Sequence, residues 1–180
     1  MIHTKDFQIA LAHTKGIEGP ESDHQLDPGG QTVWGIARNR HPKWEGWALV
    51  DRGEPVPNEM VALFYKMNFW DAINGDRLAA LSRDVAIEVF DTAVNISPVS
   101  AGKILQEAMN LLNRNRMLYQ DLPLTGNIRD MTIGNLKTCI MVGRLKKLVK
   151  LLNHLQAEYY INLMRSNPER EEFSGWFERT

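Results

Sequence analysis

Three residues in the N-terminal part of the chain have the types and spacing that cleavage of a glycosidic bond requires. Glu18 follows an apolar segment, Asp27 comes nine residues later, and Thr32 five after that, within a stretch rich in glycine and proline. Glycoside hydrolysis uses one protonated carboxyl group to donate to the leaving oxygen and one ionised carboxylate to activate water or stabilise the sugar cation. The pattern predicts Glu18 as general acid, Asp27 as base or stabiliser, and Thr32 as the hydroxyl that orients the water.

Each of these residues also has a simpler interpretation. Glu18 would follow the C-terminal end of a helix, where partial burial and the helix dipole raise a carboxyl pKa, but a solvated helix-end glutamate fits the same position. An Asp before Pro-Gly-Gly commonly forms a turn, and a Thr in a short strand often serves packing alone. Glu21 and Asp23 lie on the same loop and are rival second acids.

The remaining sequence predicts a mainly α, lysozyme-like domain with a small hairpin or loop at the catalytic site. Thr4 is a candidate N-cap for a first helix that ends near Gly16, and residues 31–34 suit a short strand. Apolar residues at helical spacing predict the other helices, at 59–69, 78–94, from Ser97-Pro98 through 112, 130–142 and 143–165. We expect one domain with a catalytic lobe, 1–75, and a helical second lobe, 76–180.

The composition of the chain limits which classes of protein it can belong to. With 180 residues, 21 basic and 22 acidic side chains and a net charge of −1, the chain predicts one globular monomer without a general attraction to nucleic acid. The single cysteine, Cys139, predicts a small core residue rather than a disulfide. The five histidines lack ligand spacing, so we expect no metal site and no cofactor. The early apolar run is too short for a signal peptide or membrane span, which predicts synthesis in a cytoplasm.

Motifs spread along the chain resemble glycoside hydrolase family 108, the phage-type N-acetylmuramidases. In chain order they are Glu18-Gly19, Asp27-Pro28-Gly29-Gly30, Thr32, Trp34-Gly35-Ile36, Phe90-Asp91-Thr92-Ala93-Val94-Asn95, Ala101, Leu105-Gln106-Glu107-Ala108, the loop 121–128 and the terminal segment 173–179. The second half is similar to that family's peptidoglycan-binding region. The chain departs from the family at Pro20 and Glu21, where the family usually has Gly-Tyr, so an aromatic side chain for the sugar groove is missing. The order Glu18, Asp27, Thr32 is also similar to the catalytic arrangement of T-even phage lysozymes, one residue short.

The resemblance implies an endolysin that hydrolyses the β-1,4 bond between N-acetylmuramic acid and N-acetylglucosamine and lyses the host cell. Its partner would be the glycan strand of peptidoglycan, and it would wait in the host cytoplasm until the membrane is opened. A prophage or other bacterial origin fits the resemblance too.

Four further residues are candidates for substrate contact, because sugars present apolar faces to aromatic rings and hydroxyls to amides. They are Trp34, Tyr65, Trp70 and Asn95. Core packing is the competing explanation for the aromatic residues. Asn95 lies one helical turn after Asp91, so the two side chains could instead bond each other.

Three rival functions follow from the same residues. A lytic transglycosylase would use Glu18 alone, and a cell-wall-binding module would use neither acid. A helical nucleic-acid binder would use the basic segment 135–157, which contains five cations and no acid. That segment, especially 144–154, predicts either weak contact with an anionic surface or a core helix with a solvated cationic face.

Overall fold

The computed structural model describes residues 4–17 and 30–167. Their helices and strands are α1 Lys5–Ile17, β1 Thr32–Val33, β2 Ile36–Ala37, α2 Trp47–Val50, α3 Asn58–Tyr65, a π-helical turn Lys66–Trp70, α4 Gly75–Leu81, α5 Arg83–Asn95, α6 Pro98–Leu111, α7 Asp130–Met141 and α8 Leu145–Ser166. The described residues are mainly α-helical, as predicted. The terminal segment 173–179 lies outside them.

Helix α1 begins where the sequence predicted. The Thr4 hydroxyl accepts the Phe7 amide at 3.4 Å, the usual N-cap contact. Phe7 and Ala10 are buried, and the Phe7 ring meets Trp70 edge-to-face with centroids 5.7 Å apart. An ion pair of 2.6 Å between Asp6 and Arg83 joins the starts of α1 and α5. Helix α1 is therefore fixed against the core through its first turns.

The segment predicted as one helix over 78–94 is two helices. Ser82 has an extended backbone, with φ −159° and ψ 118°, and its hydroxyl accepts the Val85 amide at the start of α5. A serine that caps the next helix can end the previous one. The helix predicted over 59–69 is α3 followed by the π-helical turn.

The second half is built on α6, α7 and α8. Ser97 caps α6 through the Ser100 amide at 3.1 Å, as Ser97-Pro98 predicted, whereas Asp130 lies in the first turn of α7 and Arg129 takes the cap position. A Cβ on Gly102 of α6 would lie 1.9 Å from the Gly126 carbonyl oxygen. Two main chains thus pack in direct contact here, which only glycine permits.

A side-chain hydrogen-bond pair holds that close approach. The Gln106 amide accepts the Gly126 N–H at 2.9 Å and donates to the Asn127 carbonyl at 3.0 Å. Gln106 is buried, so both of its polar ends are satisfied inside the fold.

The core lies where α5 packs against α1, α4, α6 and α8. Phe90 of α5 and Leu148 of α8 are fully buried, as is Cys139 of α7, so the predicted core position of the cysteine is confirmed. The predicted division into lobes at residue 75 stays a prediction.

Candidate functional site

The two principal acids, Glu18 and Asp27, lie outside the described residues, as do their rivals Glu21 and Asp23. The described elements bracket them. Helix α1 ends at Ile17, directly before Glu18, and strand β1 begins at Thr32, five residues after Asp27. Both elements are anchored to the core, through Phe7 of α1 and Ile36 of β2.

Thr32 lies at the start of the hairpin and is half-buried. It pairs with Ala37 across the two strands, and its hydroxyl donates to the Gly30 carbonyl at 3.1 Å. The proton of the hydroxyl is thus used locally, whereas its oxygen lone pairs can accept from a water molecule. Thr32 is therefore able to orient a water as an acceptor.

Trp34 forms the tip of the hairpin, in the turn rather than in the strand where the sequence placed it. Trp34 and Gly35 have φ of 55° and 75°, the combination of a two-residue type I′ turn. A left-handed conformation is unfavourable for a bulky residue. The Tyr65 hydroxyl donates to the Trp34 carbonyl at 2.9 Å, which ties the turn to α3. The indole is 37% exposed, so it can contact a ligand.

The other predicted contact residues have internal roles in this structure. Tyr65 is buried and acts on the hairpin through its hydroxyl. Trp70 is fully buried and donates its indole N–H to Asp76 at 2.9 Å, so it offers no surface to a glycan. Asn95 donates to the carboxylate of Asp91 at 3.0 Å, the structural pairing that the helical spacing allowed.

A groove of about 570 Å³ opens in the part of the chain that follows the hairpin. It lies between the chain segment 40–45 and helix α3 with its π-helical turn. Its lining residues are Arg40, His41, Pro42, Lys43, Trp44, Glu45, Met60, Leu63, Phe64, Met67 and Asn68. The mixture of aromatic, aliphatic and charged groups is typical of a ligand site.

Sequence reasoning missed this groove, although a signal was present. Met60, Leu63 and Met67 lie at helical spacing on a different face from the buried Val61 and Tyr65. An amphipathic helix that carries a second apolar face has more apolar surface than its core packing requires.

Burial lowers the pKa of His41, which lines the groove, and the nearby charge of Arg40 lowers it further. Both effects favour the neutral form of the imidazole. Arg38 pairs with Asp51 at 2.6 Å and stacks over the Trp47 ring at 5.0 Å. These contacts fix the chain between the hairpin and α2.

A second carboxylate cluster lies where α5 packs on α8. Burial raises the pKa of Glu88 to about 7, and the negative charge of Asp91 acts in the same direction, while a hydrogen bond from Asn153 opposes it. Gln156 is buried and donates to Asp91 at 3.3 Å. Sequence reasoning missed Glu88, because a lone Glu in a helix gives no signal until the packing is known.

Two negative findings apply to residues 4–17 and 30–167. They contain no group of three or more His, Cys, Asp or Glu side chains that could hold a metal ion. Within the same ranges, no helix is long and apolar enough to cross a membrane.

Residues 11–96 match the sequence model described as "Glycosyl hydrolase 108", a range that contains Glu18, Asp27, Thr32 and Trp34. The resemblance to glycoside hydrolase family 108 is thus confirmed over residues 11–96. Residues 100–180 match the model described as "Predicted Peptidoglycan domain". The protein is thus a glycoside hydrolase with the domain composition of a peptidoglycan-hydrolysing enzyme.

The fold of this protein is similar to that of a solved structure, "Structure of Brucella abortus SagA". The TM-score is 0.67 with 24% sequence identity, over 96% of this chain and 90% of that chain. The mainly α, lysozyme-like fold expected from the sequence is confirmed. No curated protein matches the chain significantly.

Proposed function

We propose that this family 108 hydrolase is an N-acetylmuramidase that cleaves the β-1,4 bond between N-acetylmuramic acid and N-acetylglucosamine. The match of residues 11–96 to the family carries the proposal, since it spans Glu18, Asp27 and Thr32 together. Glu18 donates a proton to the leaving oxygen. Asp27 activates water or stabilises the sugar cation, and the Thr32 oxygen accepts a hydrogen bond from that water.

The contacts of the hairpin support a substrate role for Trp34. The Tyr65 hydroxyl holds the turn and leaves the indole at the tip partly exposed. A sugar ring can stack on that face. Tyr65 acts here as a positioning residue.

Rates of glycan release from purified peptidoglycan test the roles of the two acids. Replacing a general acid typically costs about 10²–10⁴-fold, so we expect Glu18→Gln to lose activity on that scale and Asp27→Asn to lose at least about 10²-fold. Glu21→Gln and Asp23→Asn are matched controls on the same loop and should retain wild-type rates. If Glu21→Gln or Asp23→Asn is inactive while Asp27→Asn is active, the second acid is misassigned.

The Thr32 hydroxyl has its own matched pair of variants. Thr32→Ser keeps the hydroxyl, and Thr32→Val keeps the shape without it. We expect Thr32→Ser to remain active and Thr32→Val to lose kcat with little change in KM. Equal activity of the two variants would leave Thr32 with a packing role.

We propose further that the enzyme serves as an endolysin that accumulates in the host cytoplasm. The resemblance to phage-type muramidases supports this role. Bacteria that express the protein should keep their turbidity until the inner membrane is permeabilised with chloroform and should then lyse, whereas cells expressing Glu18→Gln should not. Lysis of wild-type expressers before permeabilisation would contradict cytoplasmic retention.

A further inference from the structure

One end of the second half exposes several apolar side chains together. Leu111, at the end of α6, is 62% exposed; Met117, in the following loop, is 78% exposed; and Met141, at the end of α7, is 76% exposed. Val142, which follows Met141, is exposed as well. We call these four residues the end face.

Hydrogen bonds bring the parts of the end face together. The Arg144 guanidinium donates to the Leu112 carbonyl at 2.7 Å, which joins the C-terminal end of α6 to the residues that follow α7. The Asn135 amide donates to the Gln120 carbonyl at 3.1 Å, so the loop after α6 lies along α7. The four side chains are therefore exposed at neighbouring ends of α6 and α7, and exposed apolar patches commonly mark interaction sites.

The loop that carries Met117 is held in an unfavourable backbone conformation. Residues 114–116 all have positive φ, of 54°, 55° and 66°. The buried Asn113 fixes the loop, because its amide donates to the Tyr119 carbonyl at 2.7 Å and its oxygen accepts the Tyr119 N–H at 3.1 Å. Met117 is thus presented by a rigid loop.

Exposed cations lie close in the sequence to the residues of the end face. Arg114, Lys146 and Lys147 are exposed, and among the described residues no ion pair engages them. The sequence has no acid from 131 to 157. Asp121, the acid nearest in the loop, is already paired with Arg116 at 2.6 Å.

The leucine stripe of α8 is not the apolar partner of these cations. Leu148 and Leu152 are buried in the core, so the sequence's alternative of a core helix with a cationic outer face describes α8 itself. The exposed apolar residues that precede its lysines in the sequence are Met141 and Val142 of the end face.

We propose that the end face, with Arg114, Lys146 and Lys147, docks the protein on an anionic phospholipid surface. The lysines meet phosphate headgroups, each contributing an attraction of the kind that basic residues have at such surfaces. The thioether and aliphatic side chains enter the interfacial layer. Exposed Met and Leu favour a lipid over a nucleic acid or a wall polymer, because a polyanion in water offers them nothing to bury against.

Co-sedimentation of the full-length protein with vesicles tests the proposal. We expect binding to phosphatidylcholine vesicles that contain phosphatidylglycerol and none to phosphatidylcholine alone. Lys146→Glu with Lys147→Glu, and separately Met117→Ser with Met141→Ser, should each reduce the bound fraction by at least about tenfold. All four positions are exposed, so the folded state should persist in both double variants.

The chain offers a matched control at the opposite end of the same helices. Met131 is exposed at the start of α7 and Lys103 is exposed on α6. Met131→Ser with Lys103→Glu should bind vesicles as the wild type does. Release of glycans from isolated peptidoglycan, which contains no lipid, should be unchanged in every one of these variants, so this test is independent of the proposed muramidase.

Three results would overturn the proposal. The first is absence of binding to the phosphatidylglycerol vesicles. The second is full binding by the methionine double variant together with loss of binding by the lysine double variant. That result would show that charge attraction alone holds the protein on the vesicle and that the apolar side chains do not enter the lipid. The third is an equal loss in the control variant.

Discussion

Replacing Glu88 by Gln should remove a specific pH dependence of stability. Glu88 has a folded-state pKa of about 7 against an ordinary value of 4.5, because burial and Asp91 disfavour its charge. The native state thus keeps a proton that the unfolded state has lost between these two pH values. Its stabilising contribution is complete below pH 4.5 and is lost as the pH rises through about 7.

The size of the effect follows from the same interval. Each pH unit corresponds to about 1.4 kcal/mol, so the full interval gives an upper bound of about 3 kcal/mol. Glu88 is only partly buried, and solvent screening reduces this to roughly 1–2 kcal/mol. The neutral amide of Gln can still accept the hydrogen bond from Asn153, so the variant removes the titration while keeping that contact.

Urea unfolding of wild type and Glu88→Gln from pH 4 to pH 8 measures the effect. We expect equal free energies of unfolding near pH 4 and a variant more stable by roughly 1–2 kcal/mol at pH 8. Taking the difference between the two proteins cancels the contributions of the groups that they share. Parallel stability curves over this range would refute the assignment of a raised pKa to Glu88.

Three further predictions concern packing, the hairpin and the cysteine. Gly102→Ala should destabilise the fold by about 2–3 kcal/mol, because its Cβ would clash with the Gly126 carbonyl. Gly134→Ala should stabilise α7 by up to about 1 kcal/mol, because nothing lies within 4 Å of the added Cβ. Thermal unfolding of both variants measures these effects. Trp34→Asn should keep or raise the melting temperature, since Asn tolerates positive φ, and should raise KM for peptidoglycan fragments; an unchanged KM would remove Trp34 from the substrate site. Burial raises the pKa of Cys139, so its thiol should react with a disulfide reagent only after denaturation, and rapid labelling of the native protein would contradict its core position.

The helices could be predicted from the sequence wherever local signals and packing agree. Thr4 and Ser97 cap α1 and α6 as their positions indicate. A side-chain hydroxyl directly before an apolar helical repeat can accept a hydrogen bond from a main-chain amide of the first turn, which has no partner within the helix. The missed break at Ser82 has a different cause. The apolar repeat continues through 78–94, and only the tertiary packing decides that Ser82 takes an extended conformation and starts a new helix.

The catalytic roles of residues 18, 27 and 32 stay a prediction, since the two acids lie outside the described residues. Their types suit glycoside hydrolysis, but the geometry of the site could not be predicted from the sequence. Whether an aromatic residue faces the substrate or the core depends on long-range contacts. Trp34 is exposed because the Tyr65 hydroxyl, 31 residues away, holds its turn, whereas Trp70 is closed in by Phe7 and Phe90.

Mass spectrometry of the fragments released from purified peptidoglycan by wild type and Glu18→Gln tests the central claim most directly. Muramidase action with Glu18 as general acid predicts fragments that end in hydrated, reducing N-acetylmuramic acid, released by the wild type and absent with the variant. Anhydro-muramic ends would instead identify a lytic transglycosylase and remove Asp27 from the mechanism. Ends in N-acetylglucosamine would contradict the bond assignment, and no fragments from the wild type would contradict the muramidase itself.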